Sequence, residues 1–294
     1  MDILEVFKKF PKQEDCVSYL ERVRWAGAPR CPYCNSRNST PLPKEQRHHC
    51  NNCNTSYSVT VGTIFHQTHL PLQKWLLAVS LILNAKKGIA SRQLARDLDV
   101  HRNTAWRISM KVREAMAQKE HRELLTGMVE MDETWIGARK PRREFPDDKH
   151  HPRGRGTDKT PVVGMAERED GGQVRAKVSR KDALNAKRLS ALVREHVDTE
   201  NATLVTDEYK GYIKISGFMP HKTVNHKVWY VDGDAHTNTI ESFWALLKRG
   251  IVGQFHKVSL KHLPQYVDEF CYRYNHRRHV DLFGLTIARG LGVV

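Results

Sequence analysis

The sequence has no apolar run near the roughly 18 residues that a membrane-spanning helix needs. Its longest candidate, WLLAVSLILNA from Trp75 to Ala85, is of a length that fits a buried helix. The opening residues, MDILEVFKKF, lack an apolar signal core and a cleavage site. The chain is therefore expected in the cytoplasm, a reducing compartment where clustered cysteines favour metal over disulfide. Acidic residues are scarce beside basic ones: 33 Asp and Glu against 48 Lys and Arg, a formal net charge of +15 and a pI near 9.6. That imbalance points to a polyanionic partner, most often nucleic acid; binding at a membrane surface is the competing reading. Internal repeats and low-complexity tails are absent. What remains is a chain of 294 residues, long enough for a sizeable core and for two or three domains.

Only six cysteines are present, and four are clustered. Cys31 and Cys34 form one C-x2-C, Cys50 and Cys53 another, with 15 residues between them. This is the spacing of a four-cysteine zinc site. Two tight turns each present two thiolates, which together complete a tetrahedron. With all four positions filled by Cys, the zinc is expected to be structural, one per chain, and to supply much of the folding free energy of residues 1–65. Cys16 and Cys271 lie outside the pattern and read as small buried apolar groups.

Residues 66–125 read as helical. Pro71 can open a first helix and Gly88 can end it. Ser91 can cap a short helix ending at Leu98; DVHRN is then a turn into a second helix from about Asn103 to Met116. This is a helix-turn-helix pattern, whose second helix enters the major groove in DNA-binding examples. Arg102, Asn103, Arg107 and Lys111 are the candidate DNA contacts. An ordinary helical hairpin with a solvated basic face is the alternative.

Residues 126–294 alternate strand-like and helix-like runs. GMVEMDETWIGA reads as a strand, and the stretch Ala138 to Lys159 as a mobile basic loop with eight Lys or Arg against four acids. TPVVGMAERE and QVRAKVSR form a hairpin about Asp170-Gly171-Gly172. A helix capped by Asp182 follows, then the strand ATLVTD, a helix over HTNTIESFWALLKRG, and a last helix from about Pro264. Three acids stand out by position: Asp132 inside the first strand, Asp207 ending another, and Glu241 in the first turn of a helix. Each has a bland reading: a salt-bridged strand residue, a turn former, and the partner of Asn238 in a capping box. Together they leave a charge within a central strand, which is costly unless paired or metal-bound. Two carboxylates at about 4 Å repel by about 4 kcal/mol at an effective dielectric of 20. A cluster of three therefore calls for a cation, Mg²⁺ (or Mn²⁺) by the hardness of oxygen ligands, with two ions suited to phosphoryl transfer. Lys248 and Arg249, further along the same helix, read as grips for a DNA phosphate or as charges complementing the helix dipole. Trp135 reads as core.

DETWIG, TDEYKGY, HTNTIESFWALLKRGIVGQFH and FCYRYNHR resemble the motifs of bacterial insertion-sequence transposases of the DDE class, in the branch with an N-terminal zinc ribbon. The resemblance runs from Cys31 to about Arg278. It implies a multidomain α+β chain: zinc ribbon over 1–65, helix-turn-helix over 66–125, and a ribonuclease-H-like mixed α/β catalytic domain over 126–294. It further implies that Asp132, Asp207 and Glu241 hold catalytic Mg²⁺. Water would then free a 3′-hydroxyl at the element's terminal inverted repeat, and that hydroxyl would attack target DNA. His236 and Asn238 match positions that orient the third acid or touch DNA. A homo-oligomer on double-stranded DNA, associated with the nucleoid, is expected. A DNA-binding regulator derived from a transposase and a metal-dependent endonuclease are the rival functions. Glu130 shares the strand face of Asp132 and could be an accessory to it, whereas Glu133 faces the other way and is a poor substitute. Only the resemblance favours Asp207 over Glu208.

Overall fold

The computed structural model describes residues 1–117, 123–137, 157, 159–224 and 236–293. The expected basic loop therefore lies outside the described residues, apart from Thr157 and Lys159. The chain divides into two compact units, Met1–Ala117 with His279–Val294, and Gln118–Arg278.

In the first unit, Asp2 and Glu5 exchange capping hydrogen bonds of 2.8 and 3.0 Å at the start of α1 (Ile3–Lys9). Helix α2 (Gln13–Trp25) buries Cys16, Val17 and Leu20. A three-stranded antiparallel ribbon follows, ordered β1 (Ser39–Leu42), β2 (Arg47–Cys50), β3 (Thr55–Tyr57). Helix α3 (Leu72–Asn84) is apolar on most sides and buries Trp75, Leu76, Ala78, Val79 and Ile82, as a core helix should. It stops at Ala85, ahead of Gly88. Helices α4 (Ser91–Leu98) and α5 (Arg102–Met116) pack on each other. Ser91 is not a cap: it is the first helical residue, after Ala90. Asp99 takes the left-handed conformation (φ 49°) that ends α4, and the His101 ring accepts from the Asn103 N–H at 3.3 Å to start α5.

The second unit is built on a mixed sheet of β4 (Leu125–Ile136), β5 (Thr160–Glu167), β6 (Val174–Val178), β7 (Val197–Asp207) and β8 (His221–Val224). The spatial order is β6-β5-β4-β7-β8. Strands β4, β5 and β6 pair antiparallel, while β7 joins β4 in parallel and β8 joins β7 in parallel. This is the ribonuclease-H-like arrangement, with β4 at the centre. Helix α6 (Ala186–His196) covers one face, where Leu189, Leu192 and Val193 pack with Val129, Met131 and Leu204. Its cap is Asn185, which accepts from the Arg188 N–H at 3.0 Å; Asp182 instead lies in a 3-10 turn before it. Helix α7 (Asn238–Gly250) crosses the other face over β4 and β5, and α8 (Leu263–Asn275) lies against β6. Two glycines permit this packing. A Cβ on Gly164 would come 2.5 Å from the Trp244 ring, and one on Gly250 would come 2.1 Å from Phe270.

Beyond α8 the chain forms a further helix, α9 (Leu282–Gly290), that periodicity did not pick out. It packs on α5, α3 and α2, so the unit carrying the sheet ends at Arg278, short of the expected 294. The ribbon and helices α3 to α5, taken from sequence as separate domains, belong to one unit. No helix among the described residues is long and apolar enough to cross a membrane.

Candidate active site

Asp132 and Asp207 come together through strand register. In the parallel pair of β4 and β7, Glu130 faces Val205 and Met131 faces Thr206, so the pairing runs on toward Asp132 and Asp207. Alternation places both acids on the face that α7 covers, opposite Met131 and Leu204. Asp132 is half-buried, and its Oδ2 accepts from the Trp244 indole N–H at 3.1 Å. Burial, then the charge of Glu133 and of Asp207, push its carboxyl up to about 7; the Glu133 N–H and the Trp244 indole oppose this. Asp207 Oδ1 accepts from the Tyr209 N–H at 3.0 Å, opening the turn after β7. Glu208, next to it, is exposed.

Glu241 sits on α7, three residues before Trp244 and thus about one turn from the Asp132 contact. Its side chain is exposed, and Oε1 accepts from the Thr237 hydroxyl at 2.9 Å. The predicted capping box is therefore not formed. Thr237, not Asn238, is the N-cap residue, and Asn238 is the exposed first residue of the helix. The three carboxylates are not gathered as tightly as the cysteines. Among the described residues, the cysteine quartet is the one group of three or more metal-type ligands whose donor atoms all lie within 4.8 Å of one another.

The start of α7 is instead held by Glu130, whose weight in the site the sequence did not convey. Glu130 is fully buried. Its Oε2 accepts from the Ile240 N–H at 2.9 Å, and its Oε1 accepts from Arg168 Nε at 2.8 Å. His236 Nδ1 lies 3.2 Å from the same Oε1, and Arg168 Nη2 donates to the His236 carbonyl. The His236 ring is thus turned toward Glu130, and its side chain is partly exposed. Glu133, on the opposite sheet face, accepts from the buried Tyr212 hydroxyl at 2.8 Å. Burial, then the charges of Glu133, Asp132 and Asp207, push the Tyr212 phenol well up. Trp135 is partly buried against the α6-side core, as expected.

Lys248 and Arg249 are exposed near the end of α7, where Arg249 Nε donates to the Ala245 carbonyl at 3.1 Å. On α5, Arg102, Asn103 and Arg107 are exposed. Lys111 is half-buried and pairs with Glu114 at 2.8 Å. Trp106, 41% exposed, stands among these residues; its helical spacing with Arg102 and Asn103 was the available signal for it.

The cysteine site is geometrically complete. Cys31 and Cys53 sulfurs are 3.6 Å apart, and those of Cys34 and Cys50 are 3.5 Å apart. Both distances are far beyond the roughly 2.05 Å of a disulfide. Both are close to the roughly 3.8 Å edge of a tetrahedron with Zn–S bonds of about 2.3 Å. A hard-ion site would need oxygen donors, so the quartet fits structural zinc. Trp25, Tyr57 and Val61 pack beneath it.

Fold and site together define a zinc-ribbon protein with a ribonuclease-H-like sheet that carries acids on two adjacent parallel strands. Residues 124–275 match the family described as the ISXO2-like transposase domain, and residues 11–56 match the transposase zinc-ribbon domain. A relative from Halobacterium salinarum, described as an uncharacterized protein in transposable element ISH50, is 29% identical over 256 residues, covering 82% of this chain and 84% of its own. The chain belongs to the ISXO2-like transposase family. Two solved structures are similar at 13% identity. The crystal structure of a pre-cleavage Mos1 transpososome matches with a TM-score of 0.29, over 73% of this chain and 77% of that one. The Mos1 transposase paired-end complex with left transposon end matches with 0.21, over 69% and 76%.

Proposed function

We propose that the protein cleaves DNA at the ends of its insertion sequence and transfers the freed 3′-hydroxyl into target DNA. The observation that carries this reading is the placement of Asp132 and Asp207 on neighbouring parallel strands, each one residue past the last pair of the register, under a helix that bears Glu241 and is fastened to Asp132 through Trp244. The donor set is all carboxylate, suited to Mg²⁺ or Mn²⁺. Burial, and after it the charges of Glu133 and Asp207, push the Asp132 carboxyl up, and a cation beside it would favour the charged form. Asp132, Asp207 and Glu241 are the residues that would hold the ions, Glu241 by leaving Thr237. Bound there, the ions would activate the attacking oxygen and offset charge on the leaving one.

The chain's own groups do the rest. Lys248 and Arg249 engage phosphates of the element end, and Arg102, Asn103 and Arg107 on α5 recognise the terminal repeat in the major groove. Lys111, paired with Glu114, contributes less. The closed zinc site keeps the ribbon folded and takes no part in the chemistry. Holding two element ends calls for an oligomer on DNA. The test is nicking and joining of labelled terminal-repeat DNA with Mg²⁺. Wild type should give cleaved and joined products and Asp132→Ala neither. Equal background in both proteins overturns the reading, and cleavage without joining reduces it to an endonuclease.

A further inference from the structure

Glu130 is buried to 0% exposure in the central strand, yet it carries a carboxylate. Such a group is tolerated only with partners for its lone pairs, and its partners among the described residues all gather at the start of α7. Ile240 N–H, one of the four orphan donors at the start of α7, points at Oε2. Arg168, on the chain just past β5, donates from Nε to Oε1 and from Nη2 to the His236 carbonyl. His236 Nδ1 lies against the same Oε1. The first turn of α7 is therefore fixed not by a local cap, since Thr237 makes no side-chain cap bond, but by a carboxylate 110 residues earlier in the chain. A negative charge there also suits the positive end of the helix dipole. With both oxygens so engaged, Glu130 has no need of a metal.

We propose that Glu130, clamped by Arg168 and His236, is a positioning residue that sets the start of α7 and so places Glu241 over Asp132 and Asp207. The inference rests on the functional reading above and adds the element that aligns its third acid. Asp132, two residues along the same strand, reaches α7 through Trp244. The helix is thus pinned to β4 at two points, Ile240 and Trp244, with Glu241 between them. A displacement of about 1 Å at a reacting centre is enough to lower a rate by about 100-fold.

The test uses full-length protein with its zinc, as Glu130→Gln and Glu130→Leu variants. Glu130→Gln keeps an acceptor for Ile240 and loses the charge that holds Arg168. Hydrogen exchange should rise at least tenfold for the amides of 238–241, with β4 and β7 still protected. Strand cleavage should fall about 100-fold in kcat, with KM for terminal-repeat DNA unchanged within twofold. Glu130→Leu should fall further, and the partial activity of Glu130→Gln separates alignment from mere filling of space. Should the Leu variant fail to fold, the Gln variant alone decides the matter. Variants that cleave at the wild-type rate, or that leave exchange at 238–241 unchanged, overturn the proposal. So does a kcat loss accompanied by equal exchange gains throughout the sheet, which would mark a general loss of structure. A wild type that never cleaves overturns the functional reading itself, and is told apart because the failure is then not confined to the Glu130 variants.

Discussion

Replacing Asp132 with Asn should silence the protein and, without divalent catalytic metal, stabilise it. Burial first, then Glu133 and Asp207, push the Asp132 carboxyl up from the usual 3.8 to about 7. Between those two values the folded chain keeps a proton that the unfolded chain has lost, so stability falls as pH rises through the window. Each pH unit corresponds to about 1.4 kcal/mol, which caps the penalty at about 4 kcal/mol. Asp132 is half-buried, and solvent screening brings the figure to about 2 kcal/mol. The asparagine oxygen can still accept from Trp244, so packing is retained. Urea unfolding of the zinc-loaded proteins in Mg²⁺-free buffer at pH 4, 6 and 8 measures the effect. The two should be nearly equal at pH 4, and Asp132→Asn should be more stable by about 2 kcal/mol at pH 8. Adding Mg²⁺ at pH 8 should raise the stability of wild type alone and narrow the gap. Parallel stability profiles across the whole range would refute the claim that burial and the neighbouring acids hold the Asp132 carboxyl up.

Gly164→Ala should push Trp244 off β5, since the new Cβ falls 2.5 Å from the ring; a stability loss of about 1–3 kcal/mol in urea unfolding is expected, together with slowed cleavage. Metal analysis should find one zinc per chain. Stripping it, or replacing Cys50 with Ser, should unfold the ribbon, because metal binding there is worth on the order of 10 kcal/mol; loss of the β-ribbon signals by NMR reads this out. Arg107→Ala should weaken binding to terminal-repeat DNA by about 1–3 kcal/mol if it reads a base, and should lower the salt slope by about one if it holds a phosphate. Fluorescence anisotropy at several salt concentrations separates the two, and no change in either quantity removes Arg107 from the interface.

The zinc site was legible because its signal is local: two C-x2-C pairs fix their own geometry, and the four sulfurs meet as the spacing required. The sheet was legible in outline, since Asp132 is conspicuous in an apolar strand and lands in the central one. What escaped was long-range. Glu130 reads from sequence as an accessory to Asp132 on the same strand face, but its partners Ile240, Arg168 and His236 are brought to it only by the fold. The capping box at Asn238 failed for the same reason: with Glu130 holding the Ile240 amide from another strand, the helix begins after Thr237 without a side-chain cap. Helix α9 was missed because it is short and its buried side, Phe283, Thr286, Ile287 and Gly290, includes a threonine and a glycine that dilute its periodicity.

Glu241→Gln tests the central claim most directly. The variant keeps an oxygen for the Thr237 hydroxyl, so α7 and overall stability should stay as in wild type. Strand cleavage of labelled terminal-repeat DNA in Mg²⁺ should vanish into background, since the amide is a poor ligand for a hard cation. Cleavage at the wild-type rate would show that Glu241 only tends the start of its helix, and would contradict the three-carboxylate account.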